Sequence, residues 1–194
     1  MIDRDGLWSQ LWFEEVALTE FRFLESQYAY TMLDSSASRV RFLGNNVVVS
    51  VEHNRASFEI TVVVELPTTG ERFTVWEIAR LAGVPNVDEH ASLQATTRET
   101  VEELLPTLAE LLRRHGESAL KGDPQAFARL RDQQWRESER FLRAERSSTI
   151  REAVKLAWQA GNFGEVVRRL EGVKDGLSKA ELAMLAYARK RVKQ

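Results

Sequence analysis

Cysteine is absent from this 194-residue chain, which excludes disulfides, thiol nucleophiles and cysteine-ligated metals. The three histidines, His53, His90 and His115, stand in no HxH, HExxH or HxxxH frame, so local spacing predicts no metal site. A GxSxG serine motif and a glycine-rich loop after a strand are also missing. The sequence therefore predicts no catalytic residue and no cofactor.

Long apolar runs are missing too. No stretch approaches the roughly 18 apolar residues that a membrane helix needs, and the N-terminus has early acids where a secretory signal has an apolar core. We therefore expect no membrane association, and together with the lack of cysteine this favours the cytoplasm.

The composition that is present suits a folded domain, with 43% hydrophobic and 29% charged residues. The formal net charge of −2 is unevenly spread. Residues 1–95 carry 7 Lys+Arg and 14 Asp+Glu, whereas residues 96–194 carry 20 and 15. Such asymmetry is typical either of a binding surface or of two regions with different solvated faces.

Alternating apolar residues predict an antiparallel meander with strands at 28–33, 39–43, 46–53 and 56–66. Turns at Gly44-Asn45 and Asn54-Arg55 set the expected register. The predicted facing pairs are Phe42–Val47, Val40–Val49, Val51–Phe58, Val49–Ile60 and Val47–Val62. This register places every apolar partner on one face of the sheet.

The opposite face of the meander carries polar and charged side chains. Arg39, Arg41, Glu52 and Glu59 belong to it, and Arg55 lies in the second turn. The register places Ser50 opposite both Arg39 and Glu59, and places His53 on the apolar side. The charged row is therefore a candidate binding surface, and Glu52 and Glu59 point away from His53.

The chain after residue 74 is predicted to be helical. Four capping boxes mark helix starts: Thr74–Glu77, Thr96–Glu99, Thr149–Glu152 and Ser178–Glu181. A long polar helix begins at Asp123-Pro124 and is expected to end near Arg146. We predict an α+β domain, residues 1–145, with a four-stranded antiparallel meander packed against helices, followed by a helical hairpin, residues 146–194.

The hairpin resembles a tetratricopeptide repeat and the first helix of a second one. The matching residues are Ala157, Gly161-Asn162-Phe163, Glu165-Val166, Leu170, and then Tyr187-Ala188. Val154, Val166 and Ser178 depart from the usual pattern of small residues and proline. The resemblance implies protein interaction, and a generic helical hairpin is the alternative.

The hairpin is also basic, and its candidate binding residues are Arg168, Arg169, Arg189 and Arg191. A basic helix could contact a phosphate backbone or an acidic protein, although the chain as a whole is slightly acidic. Nucleic-acid binding through the hairpin is therefore a minor alternative.

Three further stretches resemble a group of small uncharacterised bacterial α+β proteins, over about residues 20–130. They are FRFLESQYAY, VRFLGNNVVVSVEHNRASFEITVVVEL and LAELLRRHGESALKGDPQAFARL, with Arg55 and Glu59 as the Arg-x-x-x-Glu turn pair. The resemblance implies a bacterial source and an α+β fold, and it carries no activity.

The leading hypothesis is a non-enzymatic cytoplasmic protein that binds another protein, of accessory or immunity-like type. The main alternative is an enzyme whose site is assembled from distant residues of the charged face or of the loop 85–95, where Asp88, Glu89 and His90 have acid–base capacity. The sequence leaves the partner and the oligomeric state open.

Overall fold

The computed structural model describes residues 12–54, 56–87, 94–173 and 177–192. The chain forms two compact units, residues 1–134 and residues 135–194. We expected a boundary between residues 145 and 146, and the division instead falls between residues 134 and 135, within a continuous helix.

The first unit contains a five-stranded antiparallel sheet, with its strands ordered as they occur in the chain. The strands are β1 (Thr31–Ser36), β2 (Arg39–Gly44), β3 (Val47–His53), β4 (Ile60–Leu66) and β5 (Glu71–Thr74). The α+β class is confirmed, and the sheet has one strand more than the four predicted. The sequence of β5, ERFT, is too short for its alternation to stand out from a turn.

The predicted register of the first central hairpin is wrong by two residues. Phe42 pairs with Val49, and Gly44 pairs with Val47. The turn is Asn45-Asn46, and both residues have positive φ angles, 52° and 58°. Two consecutive left-handed residues define a type I′ hairpin turn, and asparagine tolerates that conformation.

The second central hairpin differs from its prediction by four residues. Val51 pairs with Val62 instead of Phe58, because the connection is a wider loop from Asn54 to Glu59. The Asn54 side chain accepts hydrogen bonds from the backbone N–H groups of Ala56 and Ser57 and holds the loop closed. Both register shifts are even numbers, so the side chains remain on the faces that the sequence predicted.

The helices of this unit are α1 (Phe13–Glu20), α2 (Phe23–Tyr28), α3 (Val75–Leu81), α4 (Arg98–His115) and α5 (Glu117–Leu120). Helix α2 occupies the start of the predicted first strand, so β1 begins later. The capping box at Thr74–Glu77 is confirmed. The box predicted at Thr96–Glu99 is wrong, because Thr97 caps α4 and Thr100 completes the box.

The main core lies between one face of the sheet and these helices. Its strand residues come from the face that we call the inner face: Val40, Phe42, Val47, Val49, Val51, Ile60, Val62, Val64 and Phe73. Its helix residues include Phe13, Leu105 and Leu112, all fully buried. The opposite face, which we call the outer face, contributes no residue to this core.

Three helices follow: α6 (Pro124–Gln159), α7 (Phe163–Glu171) and α8 (Lys179–Val192). Helix α6 does not end near Arg146, and the capping box predicted at Thr149–Glu152 is wrong. The hydroxyl of Thr149 donates to the Glu145 carbonyl inside the helix. The predicted box at Ser178–Glu181 is present, with reciprocal bonds of 2.6 and 3.2 Å.

The second unit has its own small core, formed by Val154, Ala157, Val166, Leu170, Leu185 and Ala188. Beside it the rings of Trp158, Phe163 and Tyr187 pack together, with centroids 5.3–5.7 Å apart. Over the described ranges, every helix is too short or too polar to span a membrane.

Candidate functional site

The outer face of the sheet carries most of the charged residues that the sequence singled out. Because successive side chains of a strand point to opposite faces of the sheet, every second residue of each strand projects to this side. This row consists of Thr31, Asp34, Ser36, Arg39, Arg41, Leu43, Val48, Ser50, Glu52, Thr61, Val63, Glu65, Arg72 and Thr74. Val48, Ser50 and Val63 are buried, so short side chains form a floor among longer charged ones.

The β1–β2 side of the outer face holds Asp34, Arg39 and Arg41, which we call the positive cluster. The Arg41 guanidinium contacts both carboxylate oxygens of Asp34, with Nε at 3.1 Å from Oδ1 and 3.0 Å from Oδ2. These hydrogen bonds hold the pKa of Asp34 below its usual value and raise the pKa of Arg41. Arg39 Nε lies 3.8 Å from Asp34 Oδ1, beyond hydrogen-bond distance.

Two guanidinium groups thus share one carboxylate, and the positive cluster has a formal charge of +1. Arg39 is half exposed, and among the described residues the carboxylate closest to its guanidinium is that of Asp34, at 3.8 Å. Its hydrogen-bonding capacity is therefore available for an anionic group, since guanidinium presents five N–H donors.

The β3–β5 side of the outer face holds Glu52, Glu65 and Arg72, which we call the negative cluster. Arg72 lies between the two carboxylates, with Nη2 at 3.0 Å from Glu52 Oε1 and Nε at 3.6 Å from Glu65 Oε2. One guanidinium serves two carboxylates, so this cluster has a formal charge of −1. The two clusters give the outer face opposite charges on its two sides.

A groove of about 800 Å³ crosses the outer face near the β1–β2 and β3–β4 turns. It is wide open to solvent, and hydroxyl, amide and charged groups outnumber apolar ones along it. The lining residues are Ser36, Ser38, Arg39, Glu52, His53, Asn54, Glu59, Thr61, Val63, Arg72 and Thr74. At one end, Ser57 Oγ donates to Glu59 Oε2 at 3.0 Å, and Glu59 forms a β-bridge with Gln94.

His53 reaches the groove only at its edge, because its ring points to the inner face and is 3% exposed. Its Nε2 lies 2.8 Å from the Ala95 carbonyl oxygen, and the ring packs against Phe13 and Phe58. Burial lowers its pKa, and hydrogen bonds of the imidazole to the backbone of Ala95 and Phe58 oppose that shift. Neighbouring Glu52 projects to the outer face, so the predicted separation of this acid from the histidine is confirmed.

The structure brings three of the predicted binding residues, Arg39, Arg41 and Glu52, onto one surface. Arg39 and Glu52 are directly opposite each other across β2 and β3, whereas the predicted register placed Ser50 opposite Arg39. Ser50 pairs with Arg41 and Val63, not with Arg39 or Glu59. These corrections follow from the same even register shifts.

Some predicted positions lie outside the described residues. They are Arg55 and the acid–base trio Asp88, Glu89 and His90.

Sequence reasoning missed two residues that complete the clusters. Asp34 was placed beyond the end of the first strand, and Arg72 lies on the strand that was not predicted. The signal for Arg72 is its alternation with Phe73, which pairs with Val64 on the inner face.

The predicted basic residues of the second unit are engaged within that unit. Arg168 and Arg169 both contact Glu165, at 2.8 and 2.6 Å from their Nε atoms. The hydrogen bonds from Arg168 and then Arg169 lower the pKa of Glu165 to about 2, so this carboxylate stays ionised near neutral pH. These contacts reduce the charge that the helices offer to a phosphate backbone.

The C-terminal arginines follow the same pattern. Arg189 Nη2 lies 2.7 Å from Glu171 Oε1. Arg191 Nε donates to the Tyr187 hydroxyl at 3.0 Å, and its guanidinium lies over the same ring. Among the candidate cations of α8, Arg189 is thus neutralised in place and Arg191 is held along its own helix.

Across the described ranges, no group of three or more His, Asp or Glu side chains is arranged to hold a metal ion. No family model matches the chain, and no curated protein or solved structure matches it. Functional assignment therefore depends on the geometry of the outer face.

Proposed function

We propose that the protein is a non-enzymatic protein-binding module and that the outer face of its sheet is the binding surface. One observation carries the proposal. The helices of the first unit and the inner face build one core, while the outer face is a charged surface with an open groove and a half-exposed arginine. A broad polar surface of this kind suits contact with another protein better than enclosure of a small substrate.

The chemistry of the face supports binding over catalysis. A general acid must release a proton near the working pH, whereas the hydrogen bonds from Arg41 keep Asp34 ionised. Glu52 is held by Arg72, and Glu59 by Ser57. His53, the groove's imidazole, is directed into the core. The acid and base groups are thus engaged in structure.

The second unit supports the same proposal in a subordinate role. Its helices pack through aliphatic and aromatic residues. The sequence of these helices resembles a tetratricopeptide repeat, and such repeats bind other proteins. Under this proposal the chain is an accessory or immunity-like protein of the bacterial cytoplasm. Small α+β proteins of that type act by covering a partner's surface, and the comparison is one of fold and charge alone.

The test is co-purification of the tagged full chain with the products of adjacent genes. The informative variant is R39E/E65R, which reverses both clusters and leaves the net charge unchanged. Its matched control is R129E/E103R, which makes the same two exchanges at exposed helix positions of the first unit. We expect the wild type and the control to retain a partner and R39E/E65R to release it.

Two results would contradict the proposal. One is equal retention of the partner by R39E/E65R and the wild type. The other is a wild-type chain that retains no neighbouring gene product and forms no complex of any kind. Circular dichroism of each variant checks that its fold is intact.

A further inference from the structure

We propose that two copies of this chain pack outer face to outer face, about a twofold axis that runs parallel to the strands. This inference rests on the proposed function, since it names the partner of the same surface. Its basis is the separation of charge: the positive cluster lies on β1 and β2, and the negative cluster on β3, β4 and β5.

A surface with one net positive and one net negative side is complementary to itself. In a twofold interface the same patch meets its own copy, so each side must find its complement on that patch. Pairing +1 with −1 occurs twice in such a dimer, once for each copy. Arg39, with spare donors in the single chain, then lies near the carboxylates of the other copy.

The direction of the axis follows from the layout of the clusters. Rotation about an axis along the strands places β1 and β2 of one copy over β4 and β5 of the other, so unlike clusters meet. Rotation about an axis across the strands places β1 over β1, so like clusters meet and repel. The favoured arrangement is the aligned packing of β-sandwiches, in which strand directions of the two sheets stay within about 30°.

The size of the face sets the expected strength. Five strands spaced about 4.8 Å apart, each about six residues long, give a face of about 24 by 20 Å, or about 480 Å² per copy. The total of about 960 Å² falls in the class of weak complexes.

The charged clusters also lose hydration on contact, which limits the free energy gained by pairing them. The small net charge of −2 leaves little long-range repulsion between copies. We expect a dissociation constant on the order of tens of micromolar.

The experiment measures the mass of the full chain in solution between about 1 and 300 µM, by light scattering and sedimentation equilibrium. The variants are R39E, E65R and the double variant R39E/E65R. The controls are R129E and E103R, which make the same exchanges away from the sheet. In R39E both clusters have a charge of −1, and in E65R both have a charge of +1, so like charges meet in each homodimer.

Dimerisation is expected in the wild type and both controls, and each single variant should dissociate at least tenfold more readily. An equimolar mixture of R39E and E65R should recover the dimer, because both contacts then pair unlike charges. The double variant should also recover it, because its clusters are reversed together. In the wild type, raising NaCl from 50 to 500 mM should weaken the dimer, and this measurement depends on no variant.

A wild type that stays monomeric at 300 µM overturns the inference, as does a dimer that R39E and E65R leave unchanged. The dimer can be refuted without refuting the proposed function. A monomeric wild type whose neighbouring-gene partner is released by R39E/E65R would refute the dimer and support the outer face as a surface for a different protein.

Discussion

The pH dependence of stability provides a direct test of where His53 lies. The imidazole is 3% exposed, its Nε2 is 2.8 Å from the Ala95 carbonyl oxygen, and the Phe13 ring centroid is 5.4 Å from its own. Burial lowers the pKa of His53 below the value of 6.5 that applies to an exposed histidine. Hydrogen bonds of the imidazole to the backbone of Ala95 and Phe58 offset part of this shift.

The sign of the effect follows from this lowered pKa. As pH falls, the unfolded chain takes up the proton first, so the free energy of unfolding decreases. Neutral His53 contributes to the free energy of unfolding above pH 6.5, and this contribution is lost as pH falls from 6.5 towards the lower pKa of the folded state. If the folded state stays neutral, protonation stabilises the unfolded chain by about 1.4 kcal/mol between pH 7.5 and 5.5, which is the upper limit.

The assay is urea unfolding of the wild type and of His53→Gln at pH 7.5, 6.5 and 5.5. Glutamine keeps an N–H donor within reach of Ala95 and does not titrate. The advantage of the wild type over H53Q should shrink by up to about 1.4 kcal/mol from pH 7.5 to 5.5. The matched control, His115→Gln, retains His53 and should therefore retain the same decrease in the free energy of unfolding from pH 7.5 to 5.5. An advantage that stays constant over the whole range would refute the buried, uncharged environment assigned to His53.

Two further predictions concern backbone conformation and the second unit. Gly122→Ala and Gly83→Ala both force alanine into a left-handed conformation, with φ of 73° and 78°, at about 1–2 kcal/mol each. G122A should lose clearly more stability in urea than G83A, because its new Cβ would lie 2.6 Å from a backbone oxygen of the β2–β3 turn, whereas a Cβ at Gly83 meets open space. Equal losses of stability in the two variants would exclude that clash. The backbone N–H of Ser178, followed by the Arg151 side chain, lowers the pKa of Glu181 to about 2. Glu181→Gln should therefore lower the melting temperature relative to the wild type above pH 4.5, and this difference should fade between pH 4.5 and 2. A difference in melting temperature of the same size at pH 7 and pH 3 would contradict this role of Glu181.

The faces of the central strands could be predicted from the sequence although the register could not. Alternation has a period of two, so an error of two residues at Asn45-Asn46 and of four at the Asn54–Glu59 loop leaves each side chain on its side. The turn conformation decides the register, and it depends on which asparagine takes a positive φ. Local sequence offered Gly44 as an equally good turn residue.

Capping motifs predicted helix starts well only where the preceding chain could not continue as helix. The Thr74 and Ser178 boxes follow a strand and a loop, and both are present. Thr149 has the same spacing to its glutamate, yet it lies inside α6, because the residues up to Arg146 are good helix formers and the helix continues through Ser147 and Ser148. A hydroxyl within a helix bonds to the carbonyl four residues back, which removes its capping role.

The charge layout of the outer face required tertiary information. The sequence predicted a mixed row on the central strands, with Arg39, Arg41 and Glu52 as members. Asp34 and Arg72, contributed by the two edge strands, divide that row into a side of +1 and a side of −1. The first strand was predicted to end three residues early, at residue 33 instead of Ser36, and the fifth strand was not predicted at all. These two errors were enough to hide the division. Because the sign of each side depends on edge residues, any partner of this surface, a second copy included, recognises the assembled sheet and not a linear segment of the chain.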